Sequence, residues 1–317
     1  MVRKTGRRDR LVKAFRCVGI VLLACALLIS ALITVNDAAD WGLLPTWAQL
    51  FSAVGLTEKP LSSDTLRLTF FDVGNADCLL VQCGGKAMLV DAGEHTTAAD
   101  VLKQLQTLGI EHLDYVIATH ADADHIGGME MLFRELSVGT FVMPPVADAE
   151  DTETDVYRAL MDALEQKQIL QKEADYGLTC KMGAAELCII SGRNSYDSEN
   201  DRSAICRLSF GKHTFLLMGD AGSEVDQELM LNGEDLRADV IKIGHHGGED
   251  ATDPRFIRSV NPQYAVITCG VDNPFGHPHE RTLNTLRECE VAVYRSDYHG
   301  NVVFTSDGAE LLVSTER

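Results

Sequence analysis

The sequence predicts an α/β fold of the α+β type: two β-sheets packed face to face with helices outside, preceded by one N-terminal transmembrane helix. Three observations lead there. Both halves of the 317-residue chain carry short apolar runs of strand length, interleaved with segments of helical spacing. Motifs rich in His and Asp fall repeatedly just after those runs, at strand ends. Residues 17–35 form one uncharged apolar stretch, long enough to cross the hydrocarbon core as a single helix.

Residues 1–16 hold Arg3, Lys4, Arg7, Arg8, Arg10, Lys13 and Arg16 against the single acid Asp9. That asymmetry keeps the N-terminus cytoplasmic and sends the rest across the membrane. The expectation is a single-pass anchor in the cell membrane with the folded domain outside the cytoplasm. A cleaved signal peptide competes, but the apolar run is long for its central region and no A-x-A site follows. Residues 36–64, with Pro45, Pro60, Ser62 and Ser63, read as a linker, and residues 65–317 as the folded domain.

Composition narrows the function. A hydrophobic content of 45% supports a real core. The chain has 28 Lys/Arg and 47 Asp/Glu, of which residues 1–16 take seven and one, leaving the remainder 21 and 46, a formal charge of −25. Such a field repels polyanions at long range, against a high-affinity nucleic-acid binder but compatible with an enzyme whose metal handles phosphate locally. Nine cysteines, none in a C-x-x-C pair, read mostly as small buried hydrophobes, with room for one or two disulfides whose pairing the sequence does not assign.

Within the domain, residues 67–73, 77–82 and 86–90 read as consecutive antiparallel strands, the last two joined by a Gly84–Gly85 hairpin. A helix over 97–108, a strand over 115–118, a helix over 129–136 and a strand over 140–143 follow. A long helix is expected over 155–172. Strands at 187–190, 204–210 and 213–218 precede a helix at 223–231 and a strand at 240–243. Helices at 254–260 and 281–288 alternate with strands at 264–269 and 291–294, and strands at 301–305 and 310–313 end the chain.

The chemistry centres on the segment after Ala118, where His120, Asp122, Asp124 and His125 fall within six residues and Gly127–Gly128 turn the chain into a helix. Imidazole and carboxylate together suit Zn²⁺, Mn²⁺ or Fe²⁺. A calcium loop counted from Asp122 would need Glu where Phe133 stands. Six of the ten histidines pair up in three motifs, His120/His125, His245/His246 and His277/His279, each after a strand. One shared site is the economical explanation.

The motifs FDVGNAD (71–77), LVDAG (89–93), HADADHIGG (120–128), NDRS (200–203), LMGD (217–220), KIGHHG (242–247) and FGHPH (275–279) together resemble the metallo-β-lactamase superfamily. In content and order they are similar to the hydrolase domain of ComEC-type competence proteins. Asp122 stands where that superfamily usually has a second His, and Asn200, Asp201 and Ser203 stand where its third motif usually has another. The resemblance implies a four-layer αββα sandwich and hydrolysis at one or two divalent metal ions, Zn or Mn. By position, His120 and Asp122 would bind one metal and Asp124 and His125 the other, with Asp220 bridging. The C-terminal ligand would be His279, with His245, His246 and His277 as alternatives.

Asp124 is then expected to orient the nucleophile as well as ligate. Lys242 and whichever of His245 and His246 is not a ligand, with His246 preferred, would stabilise charge or protonate the leaving oxygen. Asp72, Asp77, Asp91, Asn200 and Ser203 would support the ligands from behind, although Asp72 and Asp77 equally fit turn formers. The implied activity is that of a phosphodiesterase or nuclease acting on single-stranded DNA or a smaller nucleotide. The alternatives are a hydrolase of another ester, thioester or lactam, and a non-catalytic metal-binding envelope protein.

Overall fold

A computed structural model describes residues 23, 27–36, 44, 61–146, 152, 154–191, 193–194 and 196–317. The chain divides into two compact units, residues 1–60 with 107–109, and residues 61–106 with 110–317. In the first, residues 27–36 are helical. Residues 1–16, much of the expected span at 17–35 and most of the linker lie outside the described residues. Among the described residues, no helix is long and apolar enough to cross a membrane.

The second unit is built on two sheets. The chain starts the first sheet with β1 (Leu66–Phe70), β2 (Cys78–Cys83), β3 (Lys86–Ala92), β4 (His112–Ile117), β5 (Ser137–Met143) and β6 (Leu170–Glu173). It lays down the second as β7 (Thr179–Met182), β8 (Ala185–Ile189), β9 (Cys206–Phe210), β10 (His213–Leu217), β11 (Val240–Lys242), β12 (Tyr264–Ile267) and β13 (Ala292–Arg295), then returns to the first with β14 (Val302–Ser306) and β15 (Leu311–Thr315). The strand orders are β15-β14-β1-β2-β3-β4-β5-β6 and β13-β12-β11-β10-β9-β8-β7. Each sheet joins an antiparallel part to a parallel one: β3 to β6 run parallel in the first, β10 to β13 in the second. Gly84 and Gly85, at φ 61° and 75°, close the β2–β3 hairpin with the positive φ values that a two-residue turn demands.

Helices cover the outer faces: α1 (Ala98–Thr107), α2 (Ala123–Ile126), α3 (Met129–Glu135) and α4 (Asp155–Lys167) accompany the first sheet, and α5 (Ser223–Leu231), α6 (Pro254–Val260) and α7 (Glu280–Glu288) the second. α8 (Ser296–His299) is a single turn too short to show helical periodicity. Between the sheets lies an apolar core with Leu68, Phe70, Val81, Met88, Leu187, Leu208, Phe215 and Phe304 fully or almost fully buried. A second core, with Leu216, Ile241, Val225, Phe256, Ile257 and Leu286, fills the space between the second sheet and its helices. The result is the four-layer αββα arrangement.

Two elements differ from expectation. The helix over 155–172 stops at Lys167, because Gln168 takes the left-handed conformation (φ 53°) and its N–H closes on Glu165 and Leu164 carbonyls. Residues 170–173 then pair with β5 as an exposed edge strand, although Ile169 and Leu170 continue the helical apolar spacing. β7 was not expected; its alternation of exposed and buried side chains is short enough to pass for loop. The seven cysteines beyond the N-terminal run, Cys78, Cys83, Cys180, Cys188, Cys206, Cys269 and Cys289, are free thiols, five of them buried.

One buried acid makes a pH prediction. Asp226 on α5 is 2% exposed and accepts the Asp253 N–H at 2.9 Å. Burial first, with the nearby Asp253, Asp201 and Asp250 charges adding to it, pushes its carboxyl up to about 8. Between the ordinary carboxylate value and about 8 the folded chain holds a proton that the unfolded chain has released, so stability falls as pH rises through that window. Asp226→Asn keeps the acceptor and carries no charge. It should melt above the parent at about pH 8 and level with it near pH 4, read by circular dichroism; level melts at both would show that the buried carboxylate ionises without cost.

Candidate metal centre

The site lies where strands of both sheets end. Parallel strands place their C-terminal ends side by side, the usual position of ligand sites in such sheets. β3 carries Asp91 one residue before its end, β4 leads into Thr119 and His120, β10 into Gly219 and Asp220, β11 into His245 and His246, and β12 into Thr268.

Asp91 organises the first of these ends. Its carboxylate accepts the Thr119 N–H and hydroxyl, both at 2.8 Å, and the His125 Nδ1–H at 2.9 Å. With Nδ1 so engaged, His125 keeps Nε2 available, the role that a carboxylate behind a metal-binding imidazole plays. Asp122 stands in extended conformation ahead of the one-turn helix α2, which carries Asp124 in its first turn and His125 near its end. The glycines that follow are required by close approach: a Cβ on Gly127 would lie 2.3 Å from the Ala123 carbonyl oxygen, and one on Gly128 2.3 Å from that of Ala92.

From the second sheet, Asp220 follows Gly219, which sits at φ 54°. The Asp220 N–H donates to Ser203 Oγ at 3.0 Å, and that hydroxyl lies 3.5 Å from His120 Nδ1. His245 and His246 both take left-handed backbone, φ 47° and 50°, so the chain turns sharply after β11. The His246 Nδ1–H donates to the Thr268 carbonyl at 2.8 Å, and Nε2 lies 3.2 Å from Asp124 Oδ2 and 3.3 Å from Asp220 Oδ2. His125 Nε2 lies 3.4 Å from the same Asp220 oxygen and 3.8 Å from Asp124 Oδ2.

Asp124, His125, Asp220 and His246 thus each offer one ligand atom, all within 4.8 Å of one another. His120 adjoins them, its ring 4.1 Å from that of His125 and its Nε2 3.5 Å from Asp122 Oδ2. His120 Nε2, His125 Nε2 and Asp220 Oδ1 are buried and lack a hydrogen-bond partner. Orphaned buried polar atoms are costly unless something else satisfies them. A divalent cation would, and a donor set of imidazole nitrogen and carboxylate oxygen suits Zn²⁺, Mn²⁺ or Fe²⁺.

The charges interlock. Burial opposes ionisation of His125, but the carboxylates of Asp220 and Asp91 outweigh it and hold its pKa well above the usual imidazole value. His246 is likewise buried yet raised to about 9 by Asp220 and Asp124. Burial would raise Asp124, but the His246 hydrogen bond and the two imidazole charges lower it to about 2. Asp220 is held well below the ordinary carboxylate range by His246, His125 and Lys242 in spite of burial. Lys242, 4% exposed, donates to the Gly219 carbonyl at 2.8 Å, pairs closely with Asp77, and reaches Asp220 Oδ1 at 3.6 Å. It is engaged among the supporting groups rather than free at the opening.

The remaining candidates divide. Asp77 pairs with Lys242, accepts the Thr268 hydroxyl and lies 3.9 Å from His125 Nδ1, so it stands directly behind the cluster. Asp72 does not. It pairs with Arg317, and its N–H donates to Asn301 at the β14 end, because β1 carries it away beside the C-terminal strands. His246, not His279, completes the four-residue cluster: β11 lies directly beside β10 in register, Leu217 opposite Lys242, so the turn after β11 meets Asp220. His279 instead precedes α7, its N–H bonded to the Gly247 carbonyl, and its ring sits 5.2 Å from His277. His277 stacks against His246 at 6.0 Å, and the charges of His246 and His245 add to burial in lowering its pKa to about 4. His245 pairs with Asp250 at 3.2 Å and lies 3.5 Å from Asn200 Nδ2. Asp201 Oδ1 accepts the Gly222 N–H at 2.8 Å, beside Asp220.

Thr119, Thr268 and Asp250 were not expected at the site. Thr119 alone carried a signal, as the hydroxyl residue directly between strand β4 and His120.

Residues 71–271 match the metallo-β-lactamase superfamily, and the chain belongs to that superfamily. Its curated relatives include a competence protein. The chain is 30% identical over 201 residues to ComE operon protein 3 of Bacillus subtilis, covering 63% of this chain and 25% of the relative. It is 26% identical over 289 residues to competence protein ComA of Neisseria gonorrhoeae, covering 90% of this chain and 38% of the relative. The chain therefore spans well under half the length of either. Among solved structures, Igni18, a metallo hydrolase from Ignicoccus hospitalis, is 18% identical with a TM-score of 0.49, over 76% of this chain and 98% of that one.

Asp91→Asn tests the support of His125. Three donors converge on this carboxylate, and an amide offers one acceptor oxygen while turning an N–H₂ toward the rest. Asn tolerates the φ of 57°, so the backbone is not the issue. Zn²⁺ affinity, measured against a chromophoric chelator, should fall roughly 10- to 100-fold; an unchanged affinity would remove Asp91 from the centre.

Proposed function

We propose that this domain is a metal-dependent phosphodiesterase acting on single-stranded DNA or a smaller nucleotide, held at the outer face of the cell membrane by the apolar segment at residues 17–35. The convergence of Asp124, His125, Asp220 and His246 on one point is the observation that carries the reading. The competence relatives favour a nucleic-acid substrate. The net negative charge of the chain favours contact through the centre itself over a basic surface.

Asp124, His125, Asp220 and His246 would hold one ion, and the adjoining His120 and Asp122 would help to hold a second, Zn or Mn. Such ions supply Lewis acidity toward the phosphoryl oxygens and an activated water near neutral pH. The residues do the rest. Asp91 fixes the His125 ring, and Ser203 and Lys242 hold Asp220. Asp124, the most exposed of the four cluster residues with its side chain 29% open, faces the solvent side and can orient the attacking water as a hydrogen-bond acceptor. His246 is taken up in the cluster, which leaves His245 to protonate the departing oxygen; it is half-buried and its imidazolium form is favoured first by the hydrogen bond to Asp250.

The test is a substrate panel: bis-p-nitrophenyl phosphate, single-stranded DNA and nitrocefin, each with Zn²⁺ and Mn²⁺. Turnover of the two phosphodiesters is expected. Turnover of nitrocefin alone would favour a lactam hydrolase, and none with any metal at full metal content would favour a binding protein.

A further inference from the structure

We propose that Phe275 and His277 form a stacking subsite for a nucleobase, adjoining the metal centre. The inference rests on the phosphodiesterase reading and names what that site grips. Phe275 is a large apolar ring left 63% exposed, on a loop that is fixed rather than loose. Asn273 Nδ2 donates to the Gly270 and His277 carbonyls at 2.9 and 2.6 Å, and its Oδ1 accepts the His277 N–H at 2.9 Å. The His279 N–H donates to the Gly247 carbonyl at 2.9 Å, tying the loop to the turn that carries His246.

The rings form a series. Phe275 stacks on His277 at 5.7 Å and 24°, and His277 on His246 at 6.0 Å and 28°, within the range of offset stacking. His246 in turn reaches Asp124 and Asp220. A near-parallel set of planes therefore runs from solvent to the cluster, and among the described residues no ring lies upon its outer face. A wide apolar partner is a poor match, since Asp272, Asn273 and Gly276 lie beside Phe275 in the loop and its other exposed apolar side chains are only the small Val271 and Pro274. A single flat ring fits. Stacking also answers an electrostatic problem: a chain of formal charge −19 gains little from counterion release, whereas stacking on a neutral ring requires no positive charge.

The test uses the full chain in detergent micelles, loaded with Mn²⁺, and two oligomers of equal length: a single-stranded oligodeoxynucleotide and its counterpart built of tetrahydrofuran abasic units. Wild type should prefer the base-bearing strand in kcat/KM. Phe275→Ala should reduce that preference roughly tenfold, and Phe275→Trp should restore it. A loop residue of merely structural importance would lower both rates and leave the ratio alone. Equilibrium binding of the same oligomers, read by fluorescence anisotropy, measures the subsite without turnover. A base-to-abasic ratio that Phe275→Ala leaves unchanged overturns the inference. Hydrolysis of neither oligomer by metal-loaded wild type overturns the phosphodiesterase reading instead, and the anisotropy ratio still decides the subsite.

Discussion

Asp220→Ala should lower the rate on bis-p-nitrophenyl phosphate by about a thousandfold and deplete bound metal. Asp220 is 3% exposed and, more buried than Asp124, lies close to the Nε2 atoms of both cluster histidines, at 3.4 Å to His125 and 3.3 Å to His246. Removing it separates the contribution of the first sheet from that of the second. It also leaves Lys242 with Asp77 as its one remaining carboxylate partner among the described residues, and breaking a buried ion pair costs about 3 to 5 kcal/mol. Asp220→Asn keeps the shape and so separates loss of the centre from loss of the fold, with circular dichroism as the control. Full metal content and wild-type turnover in the Asn variant would show that the centre lies elsewhere.

Phe304→Ala should destabilise the domain by about 3 to 5 kcal/mol, lowering the melting temperature by roughly 10 °C. Phe304 is fully buried on β14 of the first sheet. Its ring meets Phe70 edge-on at 6.1 Å within that sheet and Phe215 at 6.3 Å across the sandwich. It also meets Tyr264 and Tyr294, at 5.6 and 6.2 Å, so one side chain joins three strands of the second sheet to the first. Truncation loses that apolar burial and opens a cavity that rigid strands cannot collapse into. A calorimetric shift worth less than about 1 kcal/mol would mean that the core closes over the gap. The effect should fall on stability and not on metal affinity, because none of these rings touches the ligands.

Apolar runs broken by turn residues marked most of the strands, so two face-to-face sheets were legible from the sequence, with the four-layer order implied by the family resemblance. The exceptions are local: Gln168 in left-handed conformation ends α4 where the apolar spacing runs on into β6. The donor types were equally legible. His120, Asp122, Asp124 and His125 crowd one loop, and Asp220 follows a strand at a Gly-Asp step. Imidazole and carboxylate choose their metals before any fold is known.

Which donors meet was another matter. His245, His246, His277 and His279 have the same chemistry, and nothing in their spacing ranks them. The parallel register of β10 and β11 and two left-handed residues bring His246 to Asp220, while the loop after β12 sets His277 against the His246 ring and His279 at the start of α7. Asp72 and Asp77 sit five positions apart in one motif, yet one faces Arg317 and the other Lys242. Periodicity and side-chain chemistry are local properties, readable along the chain. Convergence depends on how two sheets are laid on each other, and that is settled by contacts between residues far apart in sequence.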